Sequence, residues 1–269
     1  IWHIISKNNE HFWSKNIIFS VGSYASPEFG TNGVSLKMLS SLGIKINYCQ
    51  PALCPMIFEN EIKQLKGVRI KADLKAFNGD DSNPVYTENN GEVQFSDKYI
   101  SGVCVMNASN FLNNSKDMKI SLDLCGKYDY TNIIDFFCQM KKSQPYLDIA
   151  NMLDGVVGNK LGIYILSDYL GYDILKKISS LDNSDFRKIT SALKNLTFNH
   201  LKKGTYKQSQ TTMGGVDASC VDNNLQIINH SGLFVCGEAC DINGICGGYN
   251  LTWAFISAML ADDKILMDF

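Results

Sequence analysis

The hydrophobic period of this chain changes twice, and that change constrains the fold more than any other feature. Ile17-Ile18-Phe19-Ser20-Val21 is a short apolar run closed by Gly22, the pattern of a buried parallel strand. Thr31-Asn32-Gly33 then offers helix-start residues. Leu36, Leu39 and Leu42 fall on one helical face, Gly43 takes a helix-ending position, and Ile44 to Tyr48 resumes as a strand. Strand, helix, strand in so short a span is α/β organisation. After Pro51 and Pro55 the period drops to two. Val68, Ile70, Ala72, Leu74 and Ala76 alternate with charged residues, as do Met118, Ile120, Leu122 and Leu124 with polar ones. Asn90-Gly91, between Val85-Tyr86-Thr87 and Val93-Gln94-Phe95, predicts a type I′ hairpin turn.

Helical periodicity follows. Thr131 is placed to cap a helix carrying Ile133, Ile134, Phe137 and Met140; Ser143 and Pro145 to start Tyr146 to Leu153; Ser184-Asp185 to start one with Phe186, Ile189 and Leu193. Glycine-rich α/β style returns from residue 205. The expected organisation is therefore an α/β domain in two pieces, 1–51 and 205–269. An antiparallel β domain (52–128) and a helical insert with a return strand (129–204) interrupt it. There is no internal repeat.

Composition narrows the class. With 45% apolar and 19% charged residues over 269 positions, the chain is neither disordered nor collagen-like. A formal net charge of −2 advertises no nucleic-acid surface. The nine cysteines, an odd number with no signal-peptide pattern before them, read as reduced thiols in a cytoplasmic protein. The longest near-apolar stretch, Leu251 to Ala261, is too short to span a bilayer, so no membrane partner is expected. Cys236, Cys240 and Cys246 lack zinc-knuckle spacing, Asp241 and Asn243 lack the calcium-loop pattern, and His3, His11, His200 and His230 show no paired ligand spacing. No metal is expected. The oligomeric state is left open.

Chemistry concentrates at glycines. Leu233 to Cys236 reads as a buried strand; Gly237 allows close backbone approach, and Glu238 falls at the carboxyl end where α/β sheets bind ligands. Gly247-Gly248 precedes an apolar helix, Leu251 to Leu260, whose free N–H groups and dipole suit a phosphate or the carbonyl edge of a flavin. Met213-Gly214-Gly215 and Gly22-Ser23 add two more such sites. Three in one α/β lobe favour a nucleotide-type cofactor. Tyr249 is the best proton-donor candidate, with packing against a cofactor an equal alternative.

These residues carry a resemblance. LFVCGEACDINGICGGYNLTWA (Leu233 to Ala254) resembles the C-terminal flavin motif of the bacterial BaiN/RdsA family of NAD(P)- and FAD-dependent oxidoreductases. Phe19 to Gly43 resembles that family's strand, glycine turn and helix. NGEVQFSDKYISGVCVMN (Asn90 to Asn107) resembles its β-domain signature, and Thr211 to Val216 its T-x-G-G-V turn. The resemblance implies a Rossmann-type FAD-binding domain interrupted by an antiparallel β domain and a small helical domain. It implies hydride transfer between NAD(P)H and a small organic substrate. Glu238 would contact the ribityl or pyrophosphate side of FAD. Gly248, Tyr249 and Asn250, backed by Leu251, would face the pyrimidine edge. Met213, Gly214 and Gly215 would pack near the ring, Gly22 and Ser23 near the adenosine half, with Gly237 and Gly247 completing the set. Departures are Ser20-Val21-Gly22 where the family has A-T-G-G, Val103 where it has Pro, and no G-x-G-x-x-G anywhere. Because that fingerprint precedes the family position matching Ile1, the expectation is the C-terminal two-thirds of a flavoprotein with an incomplete FAD domain. The alternative expectation is an inactive fragment that binds no FAD alone.

Overall fold

The computed structural model describes residues 1–79, 81–114 and 117–267; the last two positions of the 205–269 piece lie outside it. In chain order the elements are β1 (Trp2–Ile5), β2 (His11–Ser14), β3 (Ile17–Phe19), α1 (Val34–Ser41), β4 (Ile46–Ala52), β5 (Met56–Ile57), β6 (Arg69–Asn78), β7 (Tyr86–Phe95) and β8 (Tyr99–Ser101). They continue with α2 (Val103–Ser109), β9 (Met118–Asp123), α3 (Tyr130–Ser143), α4 (Asp154–Val157), α5 (Asn159–Ile163), α6 (Asn183–Lys194), β10 (Leu196–Lys203), β11 (Thr211–Val216), β12 (Leu233–Val235) and α7 (Tyr249–Met267). They form two compact units: Ile1–Cys54 with Gly204–Phe269, and Pro55–Lys203.

In the first unit β3 pairs in parallel with β12, Ile18 opposite Phe234. Leu233, Phe234 and Val235 are fully buried, whereas Ile18 is 40% exposed, because β3 has a strand partner on one edge only among the described residues. The buried strand expected at 17–21 is therefore half-buried and ends at Phe19. Leu36 and Leu39 of α1 pack with Leu233, Val235 and Ala239. Leu42, expected on the same face, is the exposed C-terminal cap residue, and Gly43 follows at φ 81°. Strand β4 does not return to the parallel sheet. It forms an antiparallel ribbon with β11, broken by an irregularity between Met213 and Gly215, so the strand–helix–strand segment is not a βαβ crossover. The Lys45 ammonium, 2.5 Å from Asp217, fixes the ends of that ribbon and holds the Asp217 carboxyl well below the usual carboxylate range, with Ser219 assisting. Helix α7 runs past Leu260 to Met267 and buries only Ser257 and Ala261.

The second unit is built on a closed antiparallel barrel of order β10-β5-β8-β7-β6-β9. The alternating residues of β6 place Ala72, Leu74 and Ala76 inside and Lys71, Asp73 and Lys75 outside. Asn90-Gly91 is not a hairpin turn. It lies inside a continuous β7, where the ladder slips between Ala72 and Leu74 of β6. Asn90 takes φ 54° and its N–H is captured by Asp73 Oδ1 at 2.7 Å; a Cβ on Gly91 would sit 2.6 Å from that of Cys104. The Asn-Gly pair thus satisfies a bulge, which needs the same left-handed backbone as a type I′ turn.

Helix α3 is capped by Asp129, in a reciprocal box with Asn132, and α6 by Asp182, in one with Asp185, rather than by Thr131 or Ser184. Tyr146 to Leu153 forms turns and a short 3-10 segment at Ile149–Asn151 instead of a helix. The helices and barrel share one core: Phe137, Phe186, Ile189 and Leu193 bury with Leu122, Leu196 and Phe198, and the Leu124 N–H donates to Leu193 O at 2.8 Å. Leu193 is fully buried. Leu193→Ala is expected to destabilise this unit by about 2–5 kcal/mol. Amide exchange should then accelerate in β9 and β10 together with α3; acceleration confined to the helices would mean two separate cores.

Candidate functional site

The parallel pair delivers two chain segments to the same end. Beyond Phe19 comes Val21-Gly22-Ser23, and beyond Val235 comes Gly237-Glu238, both at the carboxyl ends of the strands. Cys236 N–H donates to Phe19 O at 3.0 Å, locking the two exits together. The third glycine segment, on β11, is tied in by Thr212. Its Oγ1 accepts the N–H groups of Tyr24 (3.1 Å) and Ala25 (3.0 Å), and its own N–H donates to Glu238 Oε1 at 3.1 Å. Glu238 is half-buried. Burial pushes its carboxyl up, opposed by the Thr212 hydroxyl and the N–H groups of Thr212 and Ala25.

Asp241 is the second clamp. One carboxylate oxygen accepts Gly214 N–H at 2.9 Å, the other accepts the Asn47 amide at 2.8 Å, and its own N–H donates to Val216 O. Gly214 and Gly215 are required by this closeness: a Cβ would sit 2.2 Å from Tyr48 O at Gly214 and 2.6 Å from Ala239 O at Gly215. Thr211 Oγ1 donates to Asn243 Oδ1 at 2.8 Å, extending the contact along the 241–248 loop.

Helix α7 is seated on the Gly237 turn. Gly237 N–H donates to Ser257 Oγ at 2.9 Å, and Trp253 Nε1 donates to Gly237 O at 3.1 Å. The Asn250 side chain closes the loop before the helix, accepting Gly244 N–H at 2.8 Å and donating to Gly244 O at 3.2 Å. Gly247 and Gly248 sit at φ 130° and 89°, and at Gly248 a Cβ would meet nothing within 4 Å. That glycine is therefore demanded by backbone conformation in front of open space. The first four N–H groups of a helix have no intrahelical acceptor, so this end presents donors there. Tyr249 lies over the loop, its Cβ 2.8 Å and its Cε2 3.3 Å from ideal Cβ positions on Gly244 and Gly247, and is 59% exposed. Leu251 is exposed beside it.

All the candidate residues named from sequence, Gly22, Ser23, Met213–Gly215, Gly237, Glu238 and Gly247–Leu251, fall in the first unit on segments linked by these bonds. Gly22 and Ser23 lie on the segment that follows β3. They are held by α1, through Ser35 Oγ to Gly22 O at 3.2 Å and Gly33 N–H to Ser23 O at 2.9 Å. The Ser23 hydroxyl is buried without a hydrogen-bond partner. Asn47 and Cys49 carry no local motif, each being a small polar residue of β4, whereas Thr212 is the threonine of the T-x-G-G-V turn. The Cys49 thiol, half-buried, is pushed up by burial and by Asp241. None of the nine cysteines is joined in a disulfide; Cys236 and Cys240 are buried and Cys246 is half-buried. The antiparallel β1–β2 pairing brings His3 Nε2 to 2.8 Å from His11 Nδ1, a contact invisible in their spacing.

Because burial raises the Glu238 pKa above its unfolded value, ionisation costs stability as pH rises through the folded pKa. Glu238→Gln is therefore expected to raise the thermal midpoint at about pH 8. The gain should vanish below about pH 3, under the unfolded-state value, where the carboxyl is protonated in the folded and unfolded states alike. A variant melting no higher than the parent at the upper pH would contradict this.

The family profile described as HI0933-like protein Rossmann domain matches residues 1–264. The chain is 26% identical over 265 residues to a 3-dehydro-bile acid delta(4,6)-reductase of Clostridium scindens, covering 96% of this chain and 64% of that protein. It is 24% identical over 260 residues to a ribosomal RNA dihydrouridine synthase of Haemophilus influenzae (95% and 61%) and 22% identical over 249 residues to one of Escherichia coli (91% and 59%). The chain thus spans less than two-thirds of the length of each of these relatives. Among the described residues no helix is long and apolar enough to cross a membrane. With the profile matched along nearly its whole length, and motifs and geometry in agreement, the chain belongs to the HI0933-like Rossmann-domain family.

Proposed function

We propose that the first unit holds the flavin dinucleotide FAD at the carboxyl end of the β3–β12 pair and that the protein is an oxidoreductase. One observation carries this reading. Three glycine segments, from widely separated parts of the chain, are drawn together there by Thr212, Glu238 and Asp241, beside a helix start with unpaired N–H donors. The residues fit the group. Gly248 leaves open space where a side chain would stand, and the buried Ser23 hydroxyl has no partner of its own. The N–H groups of Gly248, Tyr249 and Asn250, backed by Leu251, would face the pyrimidine edge of the flavin. Met213, Gly214 and Gly215 would lie near its ring. Glu238, with Gly237, would accept a ribityl hydroxyl proton, and Gly22 and Ser23 would flank the adenosine half. When bound, FAD supplies two-electron redox chemistry.

We read the relatives' names, a 3-dehydro-bile acid delta(4,6)-reductase and a dihydrouridine synthase, as reductions of a carbon–carbon double bond conjugated to a carbonyl. Reduction of such a bond, with hydride drawn ultimately from NAD(P)H, is the reaction we assign. The substrate class we assign is a small organic molecule, as in the name of the bile acid reductase, rather than the ribosomal RNA in the names of the two synthases. A proton must then be delivered to the carbon next to the carbonyl, and the exposed phenol of Tyr249 is the donor assigned to that task.

A second reading, that the chain alone does not retain FAD, is favoured by the free edge of β3. The adjoining cleft of about 610 Å³ is lined by Ile4, Ile5, Ile18, Val21 and Met38, all with exposed or half-exposed apolar surface. Titration with FAD, followed by flavin absorbance near about 450 nm, separates the two. Saturable binding that falls about tenfold or more in Gly248→Val supports the first reading. No binding by the parent supports the second. In a protein that binds FAD, Tyr249→Phe should lower the rate of enone reduction by about 100-fold or more while leaving flavin affinity unchanged. An unchanged rate removes Tyr249 from the assignment.

A further inference from the structure

We propose that a cleft in the second unit, walled by β6, the 123–128 loop and α3, binds an organic cation: an ammonium group carried on an aromatic or aliphatic body. The cleft encloses about 940 Å³, within the range of small-molecule sites. Its apolar side is made by Leu124, Ile133, Phe136, Phe137 and Val156, and Tyr128 stands at its mouth. Phe136 and Tyr128 are 47% and 52% exposed; Phe136 offers aromatic surface to a ligand, whereas Lys127 Nζ already stands over the Tyr128 ring.

Charge sets the class. Asp73 of β6 and Asp123 of β9 are directly opposite in the antiparallel ladder, where like charges repel. Asp123 is compensated: its Oδ2 lies 2.6 Å from Lys194 Nζ, and its Oδ1 accepts the N–H groups of Cys125 and Gly126, both at 2.9 Å. Asp73 is not. Its Oδ1 accepts Asn90 N–H at 2.7 Å, and no Lys or Arg among the described residues pairs with it. The two lysines that line the cleft, Lys71 and Lys127, are exposed, whereas both carboxylates are half-buried, so the deeper charge is negative.

The same wall already accommodates ammonium groups. Lys194 Nζ donates to Gly126 O at 3.1 Å and Tyr128 O at 2.9 Å, and Lys127 Nζ rests 5.1 Å from the Tyr128 ring centroid. An ammonium ligand would meet the uncompensated Asp73 carboxylate and lay its body on the aromatic floor, combining ion pairing with cation–π contact. Cys125, which also lines the cleft, has its thiol pushed up to about 11 by burial and by Asp123, so it adds no further negative charge at neutral pH. Every lining residue belongs to the second unit, so the proposal does not depend on the flavin reading.

Calorimetric titration of the full chain with phenethylammonium chloride, and in parallel with sodium phenylacetate, tests it. The expected result is saturable binding of the cation and none of the anion. Asp73→Asn, which keeps an acceptor for Asn90 N–H, should weaken cation affinity about tenfold or more. Phe136→Ala, at an exposed position, should weaken it severalfold and serves as the readout if Asp73→Asn does not fold. The proposal is overturned if the cation gives no saturable heat up to about 10 mM, the weak end of small-ligand affinity. It is also overturned if the anion binds as tightly, or if a folded Asp73→Asn binds like the parent.

Discussion

Residues 17–19 and 233–235 lie at opposite ends of the chain, yet they pair in parallel, and with the antiparallel β4–β11 ribbon they join the two pieces of the first unit. Parallel pairing places both carboxyl ends on the same side, so the turns that follow, at Gly22 and Gly237, emerge together. The rest is built onto that exit. Thr212 reaches back to Tyr24 and Ala25, Glu238 takes the Thr212 N–H, and Asp241 takes Gly214 and Asn47. The backbone of β11 is thereby held so closely against β4 at Gly214, and against the 239–241 segment at Gly215, that a Cβ has no room at either position. If the β3–β12 register slipped, none of these acceptors would meet its donor.

The chain between the two pieces, Pro55–Lys203, folds around its own core, a closed barrel whose interior is shared with α3 and α6. Closure leaves the barrel no free edge, which suits a unit inserted into a domain whose own sheet is small. Its outer face carries the unusual feature of opposed aspartates, stabilised on one side by Lys194 and left uncompensated on the other.

Much of this was legible in the residues because it follows from local rules. The alternation of Val68 to Ala76 and Met118 to Leu124 marked barrel strands, Gly43 ended α1, and the apolar run at Leu233 marked a buried strand. The glycines at 214–215, 237 and 247–248 stood out for the same reason: each sits where chain passes close to chain or turns sharply. What was not legible depends on long-range partners. Asn90-Gly91 specifies a left-handed backbone, and only the slip against Asp73 decides that it serves a bulge rather than a turn. Likewise, Ile44 to Tyr48 reads as a strand, but its pairing with β11 rather than β3 is set by Asp241 and Asp217, residues far away in sequence. Helix caps differed for a subtler reason. Asp129 and Asp182 accept N–H groups more strongly than Thr131 or Ser184, and each has a reciprocal partner three residues on.

The central claim is that the Thr212, Glu238 and α7 segments form one flavin site. Hydrogen exchange of the chain with and without saturating FAD tests it most directly, because it reports on backbone amides segment by segment. Slower exchange is expected in residues 211–215, 237–241 and 247–251 together, with the barrel strands of Pro55–Lys203 unchanged. Unaltered exchange in all three segments, or protection confined to the barrel, would contradict it.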